Sequence, residues 1–329
     1  MRNTLVTYRR LLHEAAGVEP ADLAARGAAV GERIERERPD LVFELEGIAA
    51  GAGVPVEELL AVNARTELLA GRPVAGECTL AGVLGPAKVR LAQNWDWHPA
   101  LAASTVLWTI PLEDGGWMTT VTEAGMLGKL GLSSHGLAVG LNFLASTHDD
   151  GADGMPVHVL LRMVLDSCRS AAEALELLLR TAVGASACVT IAGAEADGHA
   201  LAAVELSPAG PALVWPDGAG RLVHANHFLA GPVAGSDAIA HAEPASLLRR
   251  RHAQARLEGG AGLEDVLRSH FPRPYGICRH EDARDAWAER RATLVSVVMD
   301  PGAGTLALAA GRPCECPFET IAPRPCPSR

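Results

Sequence analysis

Hydrophobic patterning changes character just before Cys78, where an all-helical stretch gives way to the first strands, and that change limits the folds open to the chain. Residues 1 to about 72 read as helix throughout. Ala24 to Arg38 is rich in Ala, Arg and Glu, all strong helix formers. Pro39-Asp40 interrupts, Leu41 to Ala49 resumes on a helical period, and Pro55 stands near the start of another helix running to about Leu69. Leu59, Leu60, Val62 and Leu68 form its expected buried stripe. Gly71, Pro73 and Gly76 then make a loop. Beyond it the runs have the length and composition of strands: Thr79 to Leu84 and Lys88 to Gln93 about a turn at Gly85-Pro86, then Leu101 to Ile110, Trp117 to Glu123, Leu127 to Leu132 and Leu137 to Phe143. An amphipathic helix over Pro156 to Thr181 separates these from strands at 186–194, 200–207, 211–216 and 220–225, with Asp217-Gly218 as a hairpin signal. Helices near 243–258 and 262–270 follow, and Arg249, Arg250 and Arg251 read as a solvated face. A last hairpin joins Ala292–Met299 to Thr305–Ala310, before an irregular Pro- and Cys-rich tail. Strands, helices and strands in that order imply two packed sheets with helices outside.

Apolar residues make up 48% of the 329, enough for a sizeable core, and aromatics only 4%, so Ala, Val and Leu must build it. A net charge of −10 argues against a nucleic-acid surface, which needs a basic face. The N-terminus lacks the layout of a signal peptide and no apolar window is long enough to span a membrane, so a cytoplasmic protein without membrane partners is expected. Seven irregularly spaced cysteines fit reduced thiols better than a disulfide framework.

Glu77-Cys78-Thr79 follows the loop directly, and Ala92-Gln93-Asn94-Trp95-Asp96 comes soon after. Before them stands Asn63-Ala64-Arg65-Thr66-Glu67. After them come Thr122-Glu123-Ala124-Gly125 with Gly128-Lys129, Gly136-Leu137-Ala138-Val139 with Asn142, and His224-Ala225-Asn226-His227. Ile277-Cys278-Arg279, Arg290-Arg291-Ala292-Thr293-Leu294 and Gly311-Arg312-Pro313 close the series. In this order, over roughly residues 40–315, the motifs resemble the isopenicillin N acyltransferase family. Its members are autoproteolytic N-terminal-nucleophile (Ntn) hydrolases with a cysteine nucleophile, and it also includes β-alanyl-amine hydrolases. The chain departs from the family in having Glu77 where glycine often precedes the nucleophile.

The resemblance implies a four-layer αββα sandwich of the α+β class. Residues 1–77 would be a helical pro-segment that remains associated after cleavage between Glu77 and Cys78, and 78–329 the catalytic domain. Cys78 would carry the acyl group of a small amide or acyl thioester, to be released as hydrolysis or as acyl transfer. The freed α-amine, with an ordinary pKa of about 7.7–8.0, would serve as the base. Asp96 and Arg290 would be its polar partners and Asn226 an oxyanion donor. Thr79, Asn94, Trp95, Asn142 and His227 would contact substrate. No cofactor is expected, although acyl-CoA could serve as acyl donor. The scarcity of aromatics suggests a pocket of small aliphatic side chains around Leu132, Leu141, Phe143 and Phe228, suited to a small or aliphatic acyl group.

Each of these residues also has a plainer reading. A lone Cys-Thr pair is usually a packed small hydrophobe, Asp96 between two tryptophans could be a turn residue or a cap, and Asn226 could satisfy a strand end. Two other functions stay open: an unprocessed scaffold that binds a ligand, and a Cys–His amidase using His227 without autocleavage. His98, His135, His224 and His227 lack regular metal-ligand spacing. Cys314, Cys316 and Cys326 with Cys278 form only a weak zinc pattern, so no metal is expected. Gly125, Gly128 and Gly131 imitate part of a dinucleotide fingerprint but lack its strand–turn–helix context.

Overall fold

A computed structural model of the chain describes residues 1–70, 78–151, 153–230, 236–242 and 244–324. Glu77 and Cys326 lie outside them. Five helices open the chain: α1 (Arg2–Ala16), α2 (Pro20–Glu37), α3 (Pro39–Ala52), α4 (Val56–Asn63) and α5 (Arg65–Leu68). Pro20 and Pro39 stand in the first turns of α2 and α3, where the missing N–H costs nothing. A Cβ on Gly27 would lie 1.7 Å from the Glu57 carbonyl oxygen, so α2 and α4 meet backbone to backbone. Leu5, Tyr8, Leu11 and Leu12 form the buried stripe of α1, each such leucine contributing about 2 kcal/mol of burial.

Thirteen strands follow among the described residues: β1 (Thr79–Leu84), β2 (Val89–Trp97), β3 (Thr105–Pro111), β4 (Trp117–Glu123), β5 (Leu130–Ser133), β6 (Leu137–Phe143), β7 (Ala187–Glu195), β8 (Gly198–Leu206), β9 (Ala212–Val214), β10 (Arg221–His224), β11 (Ala292–Asp300), β12 (Thr305–Ala309) and β13 (Glu319–Ile321). They form two antiparallel sheets, ordered β10-β1-β2-β11-β12-β13 and β3-β4-β5-β6-β7-β8-β9. The inner faces of the sheets pack together through β1 and β2 against β6, β7 and β8. A Cβ on Gly140 of β6 would fall 2.3 Å from Leu80 Cδ1 of β1, which marks how closely the sheets approach beside Cys78.

Helices α6 (Val157–Ser167) and α7 (Ala171–Arg180) cover the second sheet. After α8 (Ala238–Ala242), helices α9 (Pro244–Glu258) and α10 (Leu263–Leu267) cover the first, over a separate core of Ala81, Ala92, Val223, Leu257, Val266 and Ile277. The layers therefore run α, β, β, α, as the motif order implies. The opening helices dock on this body through ion pairs of Arg38 with Asp166 and of Glu44 with Arg162, and through Tyr8 Oη, which donates to Glu123 at 2.7 Å. No helix among the described residues is long and apolar enough to cross a membrane.

Four sequence expectations need correcting. The strand expected from Leu101 begins only at Thr105, after a 3-10 helix over Pro99–Ser104, and the helix expected to run to about Leu69 breaks at Ala64 into α4 and α5. The helix expected over 156–181 is two, because Ser170 caps α7 by accepting from the Glu173 amide. Asp217-Gly218 does form a turn, but β9 and β10 on either side belong to different sheets, so it is a crossover rather than a hairpin.

Candidate active site

Cys78 lies directly before β1, a strand held between β10 and β2 in the first sheet. Its side chain is buried and lines a cleft between the sheets. The thiol points to the backbone carbonyl of Asp96, 3.7 Å away on β2. The Cys78 carbonyl oxygen accepts two hydrogen bonds of 3.1 Å, one from Asn142 Nδ2 on β6 and one from Arg249 Nη1 on α9. Both sheets and an outer helix thus fix one cysteine.

Arg249 is fully buried. Beyond Cys78 it donates to Thr79 Oγ1 at 3.1 Å and to Asn226 Oδ1 at 3.0 Å. Ser246, Arg249, Ala253 and Leu257 are the buried positions of α9, so one helical face carries this cation down onto the sheet. The solvated face expected of the three arginines fails at this position. Asn226, just past β10, uses one amide N–H for the Phe143 carbonyl at 2.9 Å, while Arg249 fixes its oxygen. Its second N–H enters no hydrogen bond among the described residues, and Asn226 itself lies behind the residues that line the cleft.

Asp96 Oδ1 accepts from Thr293 Oγ1 at 2.6 Å, and Thr293 accepts in turn from the Arg279 amide at 2.8 Å. Burial pushes the Cys78 thiol up to about 11, and the Asp96 carboxylate pushes the same way, against Arg249 and Lys129. At neutral pH the thiol therefore holds its proton and needs a base. Among the described residues no histidine hydrogen-bonds the sulfur. His227 is anchored by Nδ1 to Ser246 Oγ at 2.8 Å, and burial with its cationic neighbours drives it down to about 3. That removes the observation a Cys–His amidase needs.

Opposite Cys78 the cleft is walled by Leu130, Leu141, Phe143, Val157 and Ala187, with Trp95 and Trp97 beside them. Leu132 and Phe228, expected in this wall, are not part of it. Two cations stand in it as well. Lys129 pairs with Glu123 and lies 3.7 Å over the Trp95 ring, and Arg65 lies 4.2 Å over Trp97. Burial lowers the Lys129 pKa against the pull of Glu123. Although burial opposes it, Lys129 and Arg65 hold Glu123 below the usual carboxylate range. Tyr8 and Trp97 extend this network to the N-terminal helices.

Several expected site residues stand elsewhere. Arg290 does not reach Cys78: its guanidinium donates to the Asp285 and Ala283 carbonyls and pairs with Glu281. The inward member of the arginine pair is Arg291, buried 4.8 Å from the Trp97 ring. Asn94 faces away from the cleft, its amide donating to the Leu267 and Ile277 carbonyls and its oxygen accepting from Ser296. Alternation along β2 is the reason: Gln93, Trp95 and Trp97 face the cleft, and Asn94 faces α10. The Thr79 hydroxyl is taken by Arg249, and Asn142 holds the Cys78 carbonyl rather than facing the cleft. His227 likewise points to α9.

Thr293→Val should lower kcat/KM about 10-fold by freeing the Asp96 carboxylate, the loss of about one good hydrogen bond. Thr293→Ser should restore it, and steady-state kinetics of the three proteins checks this. Glu67, on α5, is wholly buried, and burial raises its pKa from 4.5 to about 7. The protonated form is the one the fold favours. Its contribution to stability is complete below 4.5 and is lost as the pH climbs through about 7. Wild type should therefore lose about 2–3 kcal/mol more than Glu67→Gln between about pH 5 and about pH 8, measured by urea midpoints.

Residues 83–315 match the sequence profile of a family described as acyl-coenzyme A:6-aminopenicillanic acid acyl-transferase. The chain is 31% identical over 289 residues to the 40 kDa form of acyl-coenzyme A:6-aminopenicillanic-acid-acyltransferase from Emericella nidulans, covering 86% of this chain and 78% of that one. Among solved structures it is similar to penicillin V acylase from Agrobacterium tumefaciens, with 15% identity, TM-score 0.48, and 71% and 82% of the two chains covered. A variant of conjugated bile acid hydrolase from Clostridium perfringens gives 12% identity, TM-score 0.48, and coverage of 73% and 92%.

Proposed function

Because the chain belongs to the acyl-coenzyme A:6-aminopenicillanic acid acyl-transferase family, we propose that it is a cysteine acyltransferase or amidase whose nucleophile, Cys78, becomes an N-terminus by self-cleavage after Glu77. The observation that carries this reading is the state of Cys78 itself. The thiol lines the cleft, its carbonyl is held by Asn142 and Arg249, and its pKa sits near 11 with no side-chain base on the sulfur among the described residues. A base of ordinary pKa about 7.7–8.0 on the same residue supplies what the site lacks.

In the uncut chain the Cys78 sulfur attacks the Glu77 carbonyl carbon, the Glu77–Cys78 C–N bond breaks and the nitrogen leaves as an amine. Water then hydrolyses the thioester. The products are residues 1–77 and 78–329. They remain together because Tyr8 and Arg65 belong to the Glu123–Lys129–Trp97 network of the cleft wall.

In turnover the α-amine takes the thiol proton and the thiolate attacks the substrate carbonyl. The second N–H of Asn226 donates to the oxyanion, and Asp96, fixed by Thr293, orients the ammonium. The ammonium returns its proton to the departing amine or thiol. Water or an acceptor amine then attacks acyl-Cys78 and regenerates the enzyme. The aliphatic wall favours a small or aliphatic acyl group, delivered as an amide or as an acyl thioester such as acyl-CoA.

The test is to mix the enzyme with a panel of acyl thioesters and amides, quench in acid and map the adduct by mass spectrometry. Acyl on the Cys78 peptide is expected. Turnover with the acyl group on another residue would sink the proposal.

A further inference from the structure

We propose that His270, Cys278, His280 and Cys314 form a structural zinc site, apart from the cleft and taking no direct part in the acyl chemistry. One ligand atom from each residue lies within 4.8 Å of every other. The two thiol sulfurs are 3.5 Å apart and the two imidazole Nε2 atoms 3.1 Å apart. His280 Nε2 stands 3.3 Å from Cys314 Sγ and 3.9 Å from Cys278 Sγ. A tetrahedral zinc with ordinary bond lengths requires edges of about 3.8 Å between sulfurs, about 3.3 Å between nitrogens and about 3.5 Å between nitrogen and sulfur. Each of the four distances is within about 0.4 Å of its ideal edge. A two-sulfur, two-nitrogen tetrahedron is a donor set that selects zinc, and four protein ligands leave no open position for catalysis.

The surroundings fit a ligand set. His280 turns its other nitrogen, Nδ1, toward Glu315 Oε1 at 3.8 Å, where a carboxylate supports a metal-bound imidazole. A Cβ on Gly276 would sit 2.6 Å from the His270 carbonyl, so only glycine lets the loop fold back and bring Cys278 to His270. The Cys278 amide closes that loop on the Ser269 carbonyl at 2.7 Å. Of the two tail cysteines among the described residues only Cys314 joins the cluster, for Cys316 Sγ points to the Ala310 carbonyl. Loading displaces the two thiol protons to solvent, and the two thiolates balance the dication.

The site ties together the segment after α10, the loop leading into β11 and the turn after β12. Arg279 stands between two ligands, and its amide holds Thr293, which holds Asp96. The Ile277 carbonyl beside Cys278 anchors Asn94. The metal would thus brace the outer support of the candidate active site. The sequence expectation of no metal, which weighed only the cysteines here, is replaced by a set that includes two histidines.

The test is zinc content by elemental analysis of the full chain, grown with zinc and dialysed, alongside native mass spectrometry. About one zinc per chain is expected for wild type and for Cys316→Ser, and at least a tenfold loss for Cys278→Ser/Cys314→Ser. Cobalt in place of zinc should give the thiolate charge-transfer and strong visible bands of a tetrahedral site, and these should vanish in the double variant. Wild type carrying no more zinc than the double variant would overturn the proposal, and that holds even if the variant folds poorly, since wild type alone must carry the metal. A Cys278–Cys314 disulfide in the unreduced wild type, or zinc lost through Cys316→Ser but not Cys314→Ser, would overturn it equally.

Discussion

Replacing Cys78 by alanine should abolish turnover, with kcat falling about 10⁴-fold or more, while the fold persists. The substitution removes one sulfur from a cleft position whose backbone is held by other atoms: Asn142 and Arg249 grip the carbonyl, not the thiol. Thermal unfolding should therefore change little beside the kinetics. Cys78→Ser makes the sharper comparison. A hydroxyl in the same place is a far weaker nucleophile and keeps its proton more firmly, so residual activity should stay near that of the alanine variant. Activity within about 10-fold of wild type in either variant would take the acyl group away from Cys78.

Arg249→Ala is the second large effect expected, a fall in kcat of about 10²–10³-fold with a smaller change in KM. Three groups lose a donor together: the Cys78 carbonyl, Thr79 Oγ1 and Asn226 Oδ1. Asn142 still serves the first, but nothing replaces the cation at Asn226, whose free amide is then no longer aimed. One misdirected oxyanion donor is worth about 3–4 kcal/mol, which sets the range. Arg249→Lys should fall between, because a single ammonium cannot fork to two distant acceptors as a guanidinium does. A loss confined to KM would make Arg249 a substrate contact instead of a positioning residue.

Elements with clear alternation or composition were legible in the sequence: β4 and β6 have the bounds their patterns imply, and the first three helices end at a glycine or just before a proline. The neighbourhood of Cys78 and Asp96 was legible too, because Cys78 directly precedes β1 and Asp96 lies on β2, the two strands being joined by a short turn. What crossed layers was not. Arg249 sits in a run of three arginines, and only its helical spacing from Ser246, Ala253 and Leu257 marks the buried one. Arg290 and Arg291 adjoin the start of β11, where alternation has no earlier residue to fix its phase. Asn94 lies in the strongest motif and still faces the wrong side, since a motif does not say which face of a strand each member takes. The four convergent thiol and imidazole groups come from irregular loops, where sequence spacing carries no information about distance.

Whether Cys78 works as an N-terminus is read from the intact mass of the purified, denatured wild-type protein. Two masses are expected, those of residues 1–77 and 78–329, in a preparation that turns over substrate. A single full-length mass from a preparation that is equally active would contradict it.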